Sequence, residues 1–422
     1  MSTQSMRSAI LTTSVLMLAT CTLLIASANA GERTLHTFTE NSNGIAWGGT
    51  DSAAGLVADP AGNLYGTTAF GGRYNMGVVF ELSRTGKGYW VEKVLHHFPN
   101  APGDGAEPLG GLVFDSAGNL YGTTHNGGAS NIGTVFKLTP GRNGNWKETI
   151  LYSFEAYVTG TAYFPNSGLV MNAAGNLYGT TTEGGGYGAG TVFEVSPTAG
   201  GGWTASVLHS FGASQTDGIN PTSPYLSLDA AGNLYGVAYQ AGPYNSGAVY
   251  QLSPASSGQW TETIVYGFTG GTDGSYPLST ITLDSTGNLY GTTSTSSNGR
   301  GTVYEISPSS GGGWSEQTLH TFTGADGGEP NGTLIFNPAG NLLGTSATGG
   351  GNNFGDVWEL SPSSSGTWTP TVLFSFDQAN GQLPIGGVIR DAAGNLYGIT
   401  NQGGNLSFCG YQGCGVVFEV TP

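Results

Sequence analysis

Beyond residue 30 the chain consists of short runs of alternating apolar and polar residues, each cut off by Gly, Asn, Ser or Pro. Residues 111–154 show the pattern once through. Gly111-Leu112-Val113-Phe114-Asp115 is a short apolar segment, and the turn Ser116-Ala117-Gly118 leads into a second, Asn119-Leu120-Tyr121-Gly122-Thr123-Thr124. After a Gly/Asn loop comes Thr134-Val135-Phe136-Lys137-Leu138, ended near Pro140, whose missing N–H stops a ladder. Another Gly/Asn turn leads to Trp146 and a last segment closing on Leu151-Tyr152-Ser153-Phe154. β-Branched and aromatic residues bounded by turn formers predict four short strands. No stretch after residue 30 has the 3.6-residue apolar period of an amphipathic helix.

The pattern recurs. Gly-Asn-Leu-Tyr-Gly, or a near copy, starts at Gly62, Gly118, Gly175, Gly232, Gly287, Gly340 and Gly394, at intervals of 53 to 57 residues. Periods of this size mark solenoids, arrays or propellers. Four strands per unit and seven units predict an all-β fold, a seven-bladed β-propeller with four-stranded antiparallel blades. The ends fit a closed ring, where an open array would need polar caps. Thr34-Leu35-His36-Thr37-Phe38 matches a fourth strand such as Leu319-His320-Thr321-Phe322, and Val416-Val417-Phe418-Glu419-Val420 matches a third. The last blade is therefore expected to take its outer strand from the N-terminal segment, which covers the open edge. Residues 31–422 are read as one domain.

Units of the form G-N-L-Y-G-T-T, a Gly-rich loop, G-T-V-F-E-L-S-P, Trp and L-x-x-F resemble the GloVer tandem-repeat family of secreted bacterial proteins. The resemblance runs from residue 31 to the end. It implies a propeller-like exported protein, and it brings no catalytic residues to carry over. The units decay in places: Val237-Ala238 and Ser346-Ala347 replace parts of the Thr-Thr, and Asn172 and Asn337 replace the usual Asp.

Composition narrows the partners. Glycine is 74 of 422 residues, well above the usual share of about 7%. Charged residues are only 9%. The 8 Trp, 20 Tyr and 18 Phe argue against disorder. A formal charge of −16 repels phosphates, so no nucleic acid partner is expected. Past residue 30 no apolar run approaches the ~18 residues of a membrane span, so the domain is not expected to be integral to the membrane. Residues 1–30 read as a leader: Arg7 in a polar head, an apolar run over 9–26, then Ala28-Asn29-Ala30. Cleavage after Ala30 would export a monomeric protein to the periplasm, the cell surface or beyond. Cys409 and Cys414 lie in a loop longer than its counterparts, and a disulfide between them is predicted.

Several recurring residues invite a chemical reading. Asp59, Asp115, Asp229, Asp284 and Asp391 each stand three residues before the repeated Gly. Asn replaces Asp at 172 and 337, which points to turn-forming residues. His36, His96, His209 and His320 share the second position of L-x-x-F with Tyr152, Tyr266 and Phe374. A position that accepts Tyr and Phe reads as packing, not metal ligation. Trp90, Trp146, Trp203, Trp260, Trp314 and Trp368 recur once per unit and read as blade-to-blade core. Phosphate loops need a following helix, and none follows the Gly-rich loops. There is no G-x-S-x-G, no H-E-x-x-H and no clustered Cys/His spacing, so no metal or cofactor is expected.

Two functions from different classes remain. One is a binding or scaffold module for a glycan, a cell-wall polymer or a protein ligand. The other is a carbohydrate-active propeller enzyme, a lyase or lactonase, with its site at the central channel. The proposed inner strands read Gly-Leu-Val-Ala (55–58), Gly-Leu-Val-Phe (111–114) and Gly-Leu-Val-Met (168–171), with a charge only in Gly-Val-Ile-Arg (387–390). That lining lacks an acid/base set and favours binding. In such a blade the loop between strands two and three shares a face with the link to the next blade. The first loop set carries Tyr74, His125, Tyr187, Tyr244 and Arg300, and the second carries Asp104, Asp217, Asp273 and Asp326. Aromatic faces beside amides and acids suit sugars, and these nine residues are the ligand-binding candidates.

Overall fold

The computed structural model describes residues 31–39, 55–99, 101–155 and 160–422. The leader reading of residues 1–30 lies outside the described residues. Seven four-stranded antiparallel meanders form a propeller ring. Blade 1 uses Val57–Ala58, Leu64–Thr68, Val78–Arg84 and Trp90–His97, from inside to outside. Blades 2 to 6 follow in chain order. Blade 7 takes Val388–Arg390, Leu396–Ile399 and Val416–Thr421 from the C-terminal segment, and Gly31–Thr37 as its outer strand. The expected closure is present, with Gly31 opposite Thr421 and Thr37 opposite Val416. Among the described residues the only helical turns are two 3-10 segments, Arg142–Gly144 and Cys409–Tyr411. Cys409 and Cys414 are disulfide-bonded, as predicted.

The inner strands are shorter than the sequence suggests. In blade 2 only Val113–Phe114 is in the ladder, not the whole of Gly111–Asp115. The backbones crowd at the axis: a Cβ on Gly55 would lie 2.6 Å from the carbonyl oxygen of Gly386. The glycine of the second strand has a different reason. In blade 2 a Cβ on Gly122 would stand 2.7 Å from the ring of Phe136 on the third strand, so the missing side chain is the space the ring fills.

The outer strands carry a β-bulge. In blade 1 Val79 pairs with His96 and Phe80 with Val94, so Leu95 has no partner. The same shift recurs in the other blades. An extra residue turns the strand. Val94 and Glu92 face blade 7, whereas Leu95, His96 and Phe98 face blade 2.

Seven apolar clusters fill the seven junctions between neighbouring blades. Their centres are the Phe of L-x-x-F, with Phe98, Phe211, Phe268, Phe322 and Phe376 fully buried, and the third-strand ring against it. Phe98 meets Phe136 edge-on at 5.3 Å. The tryptophans do bridge blades, for example Trp146 against Tyr65 at 6.3 Å. They sit at the rim of the clusters, half-buried, so the phenylalanines form the centre of the core.

Candidate ligand-binding face

The two loop sets meet on one face, and backbone pairing joins them. Gly105–Ala106 of the link from blade 1 pairs with Asn126–Gly127 of the blade 2 loop. Ala162, Gly218 and Ser275 open equivalent pairings further round, and Gly328 and Gln382 form isolated bridges. Each link then holds an unusual conformation. Glu107, Phe164, Asn220, Tyr276, Glu329 and Leu383 all precede a proline and have φ between 52° and 59°. Left-handed backbone is unfavourable for bulky side chains, and a following proline disfavours compact conformations further. The N–H groups explain why it persists: Glu107 donates to Met76 O at 2.9 Å and Phe164 to Ile132 O at 2.9 Å, each tying a link to the loop of the blade before it.

Aromatic side chains gather on this scaffold. His125 stacks on Phe164, centroids 4.9 Å apart, and Tyr239 lies against Tyr276 at 5.0 Å. Tyr74, Tyr187 and Tyr244 occupy the same loop position in blades 1, 3 and 4, just before a left-handed Asn75, Gly188 or Asn245. They are 45%, 62% and 63% exposed. Tyr411, on the disulfide-closed loop of blade 7, is 85% exposed. The extra length of that loop leaves Tyr411 without an aligned position in the other blades. Arg300 packs beside Gly324 and Gly328, and its carbonyl accepts from Glu329 N–H at 3.0 Å.

The four aspartates point inward. Asp273, 7% exposed, accepts from Tyr266 Oη, from Thr269 N–H and Oγ1 and from Gly271 N–H. Asp326 accepts from Thr323 N–H and Oγ1 and lies 2.9 Å from His320 Nε2. Asp217 is 5% exposed. Burial pushes its carboxyl up, but hydrogen bonds from His209 and Ala213 N–H outweigh that and hold it below the ordinary range. Asp104 accepts from Gly105 N–H at 2.7 Å. These carboxylates set the links in place, while the tyrosines reach solvent.

The repeated aspartates on the opposite face form turns, as expected from the sequence. Asp115 accepts from Ala117 and Asn119 N–H, Asn119 Nδ2 and Tyr121 Oη. At the axis a cavity of about 290 Å³ is bounded by residues at or just before the inner strands of six blades, among them Leu56, Leu112, Leu169, Leu226, Ile335 and Val388. No carboxylate or imidazole lines it. The histidines of L-x-x-F do pack: His96 meets Phe98 edge-on at 4.7 Å. They also meet carboxylates from the link and from the next blade, which the sequence read column by column does not reveal.

Family comparison decides the relationship, since one repeat description matches residues 23–170, 149–313 and 226–422. The chain belongs to the Gloeobacter/Verrucomicrobia repeat family. As a member of this family it carries the repeat over nearly all its length, in line with the resemblance drawn from the motifs. No curated protein matches it. Among solved structures it is similar to one described as an oxidoreductase (glucose dehydrogenase) from Thermus thermophilus. The two share 15% identity, over 73% of this chain and 95% of that one, with a TM-score of 0.42.

Proposed function

We propose that this repeat protein is an exported binding or scaffold module, and that its loop face takes up a glycan, a cell-wall polymer or a protein surface. The observation that carries the reading is the set of exposed tyrosines, Tyr74, Tyr187, Tyr244 and Tyr411, on loops held by backbone pairing and left-handed turns. Exposed aromatics on a rigid frame bind with little ordering cost. Strained backbone recurring on one face is itself a pointer to function. An internal disulfide fits an oxidising compartment. Among the described residues no helix is long and apolar enough to cross a membrane. The competing reading, a carbohydrate-active enzyme at the channel, needs acid/base groups there, and the axial cavity is lined by aliphatic side chains and glycine with Tyr225 and Thr333, and by no carboxylate or imidazole.

A glycan array on the purified chain identifies the ligand class. Tyr187→Ala combined with Tyr244→Ala is expected to lower affinity for any hit at least tenfold, from loss of two stacking contacts. Asp115→Ala on the opposite face is expected to leave it unchanged. Equal binding by the tyrosine pair, with an unaltered melting curve, would rule this face out.

A further inference from the structure

We propose that the junctions between blades 1 and 2 and between blades 3 and 4 each bind one divalent transition-metal ion, with zinc the best fit. The ligands are His96 Nε2, Asp104 and Glu148 at one junction, and His209 Nε2, Asp217 and Glu262 at the other. Each set joins three separate segments: the outer strand of one blade, the link, and the outer strand of the next.

The spacing argues for a cation between the groups. His96 Nε2 lies 3.4 Å from Glu148 Oε2 and 3.9 Å from Asp104 Oδ1. His209 Nε2 lies 3.4 Å from Asp217 Oδ1, a long hydrogen bond, and 3.8 Å from Glu262 Oε1. Good N–H···O bonds are about 2.9 Å. Ligand atoms around zinc, at bond lengths of about 2.1 Å, stand roughly 3.4 Å apart in a tetrahedral shell. The ring supplies its own controls. Between blades 5 and 6 Pro370 replaces the glutamate, and there His320 closes on Asp326 to 2.9 Å. Between blades 4 and 5 Tyr266 replaces the histidine, and its hydroxyl donates directly to Asp273 at 3.1 Å. The two junctions that combine histidine with both carboxylates keep their groups at metal-ligand separation.

Unpaired atoms support the same conclusion. His96 Nε2, Glu148 Oε1 and Glu262 Oε1 are all buried without a hydrogen-bond partner. Two carboxylates and a neutral imidazole would balance the charge of a dication. One nitrogen and two oxygens suit zinc, with a water as the fourth ligand. At the seam His36 Nε2 and Glu92 Oε2 repeat two members at 3.7 Å, while the link between them lies outside the described residues.

The test is calorimetric titration of chelator-stripped full-length protein with zinc chloride. Glu148→Gln and Glu262→Gln are each expected to remove one bound ion per chain, and the double variant to remove both. Glu316→Gln, at the tyrosine junction, is expected to remove none. Cobalt on the unmutated protein gives a reading independent of any variant: absorption bands of a four-coordinate histidine–carboxylate site are expected. Unchanged zinc stoichiometry in the double variant, or no cobalt bands on the unmutated protein, overturns the proposal. Either result would assign the triads to a proton shared between carboxylates.

Discussion

Asp356 shows how much one position in a repeat can matter. Blades 2, 3 and 5 begin the third strand with a threonine that pairs with another across the ladder, as Thr124 and Thr134 do at 2.7 Å. Blade 6 places Asp356 there, fully buried, with the Ser346 side chain opposite only partly offsetting the burial. Burial pushes its carboxyl up to about 8, and the charge of Asp326 adds to that. The folded chain therefore binds this proton more tightly than the unfolded one. The stabilisation is complete below about 4 and is lost as pH rises through about 8. Asp356→Thr puts a neutral hydroxyl opposite Ser346 in place of the buried carboxyl, and it is expected to raise stability at pH 9 by about 1–3 kcal/mol with little gain at pH 4. Melting curves at the two pH values check this, and an equal gain at both would refute it. The turn role of Asp115 was legible in the sequence because asparagine substitutes at two of its counterparts. The strain of Asp356 was not, since a single substitution in one column gives no sign of how deeply it is buried.

At the level of strands, the seven units repeat one pattern, so strand number, blade number and the shared last blade could all be read from spacing. What escaped the reading depends on neighbours distant in sequence. The L-x-x-F spacing of three cannot put both apolar residues on one face of a regular strand; the bulge at Leu95 resolves this, and the register shows it. The His–Asp–Glu sets come from segments about fifty residues apart, and each column alone looks like packing. The left-handed residues before proline run against local preference and exist because the preceding blade accepts their N–H groups. The outer strand of blade 7 yields its own prediction. Deleting residues 31–38 removes the ladder opposite Val416–Thr421 and the buried Phe38. Several backbone bonds at roughly 0.5–1.5 kcal/mol each and an aromatic core residue at about 3–5 kcal/mol are lost. A markedly lower melting temperature with aggregation is expected in thermal scans, and an unchanged transition would contradict the seam.

For the whole molecule, sequence and structure agree on architecture and leave the ligand to chemistry on the loop face. On the proposed function, the tyrosines of blades 1, 3, 4 and 7 would act together only when the ring is closed. Closure rests on a single non-covalent seam, and the geometry of that seam has a mechanical consequence. Gly31 lies directly opposite Thr421, so the two ends of the ring leave the same end of an antiparallel ladder. Tension between them loads the hydrogen bonds one at a time, as in a zipper, and not all together in shear. Single-molecule stretching from residues 31 and 421 is expected to peel the outer strand at low force before the other blades yield in turn. A protein with such a seam, tethered by both ends, would act as a tension-sensitive latch, losing its composite face at loads its individual blades survive.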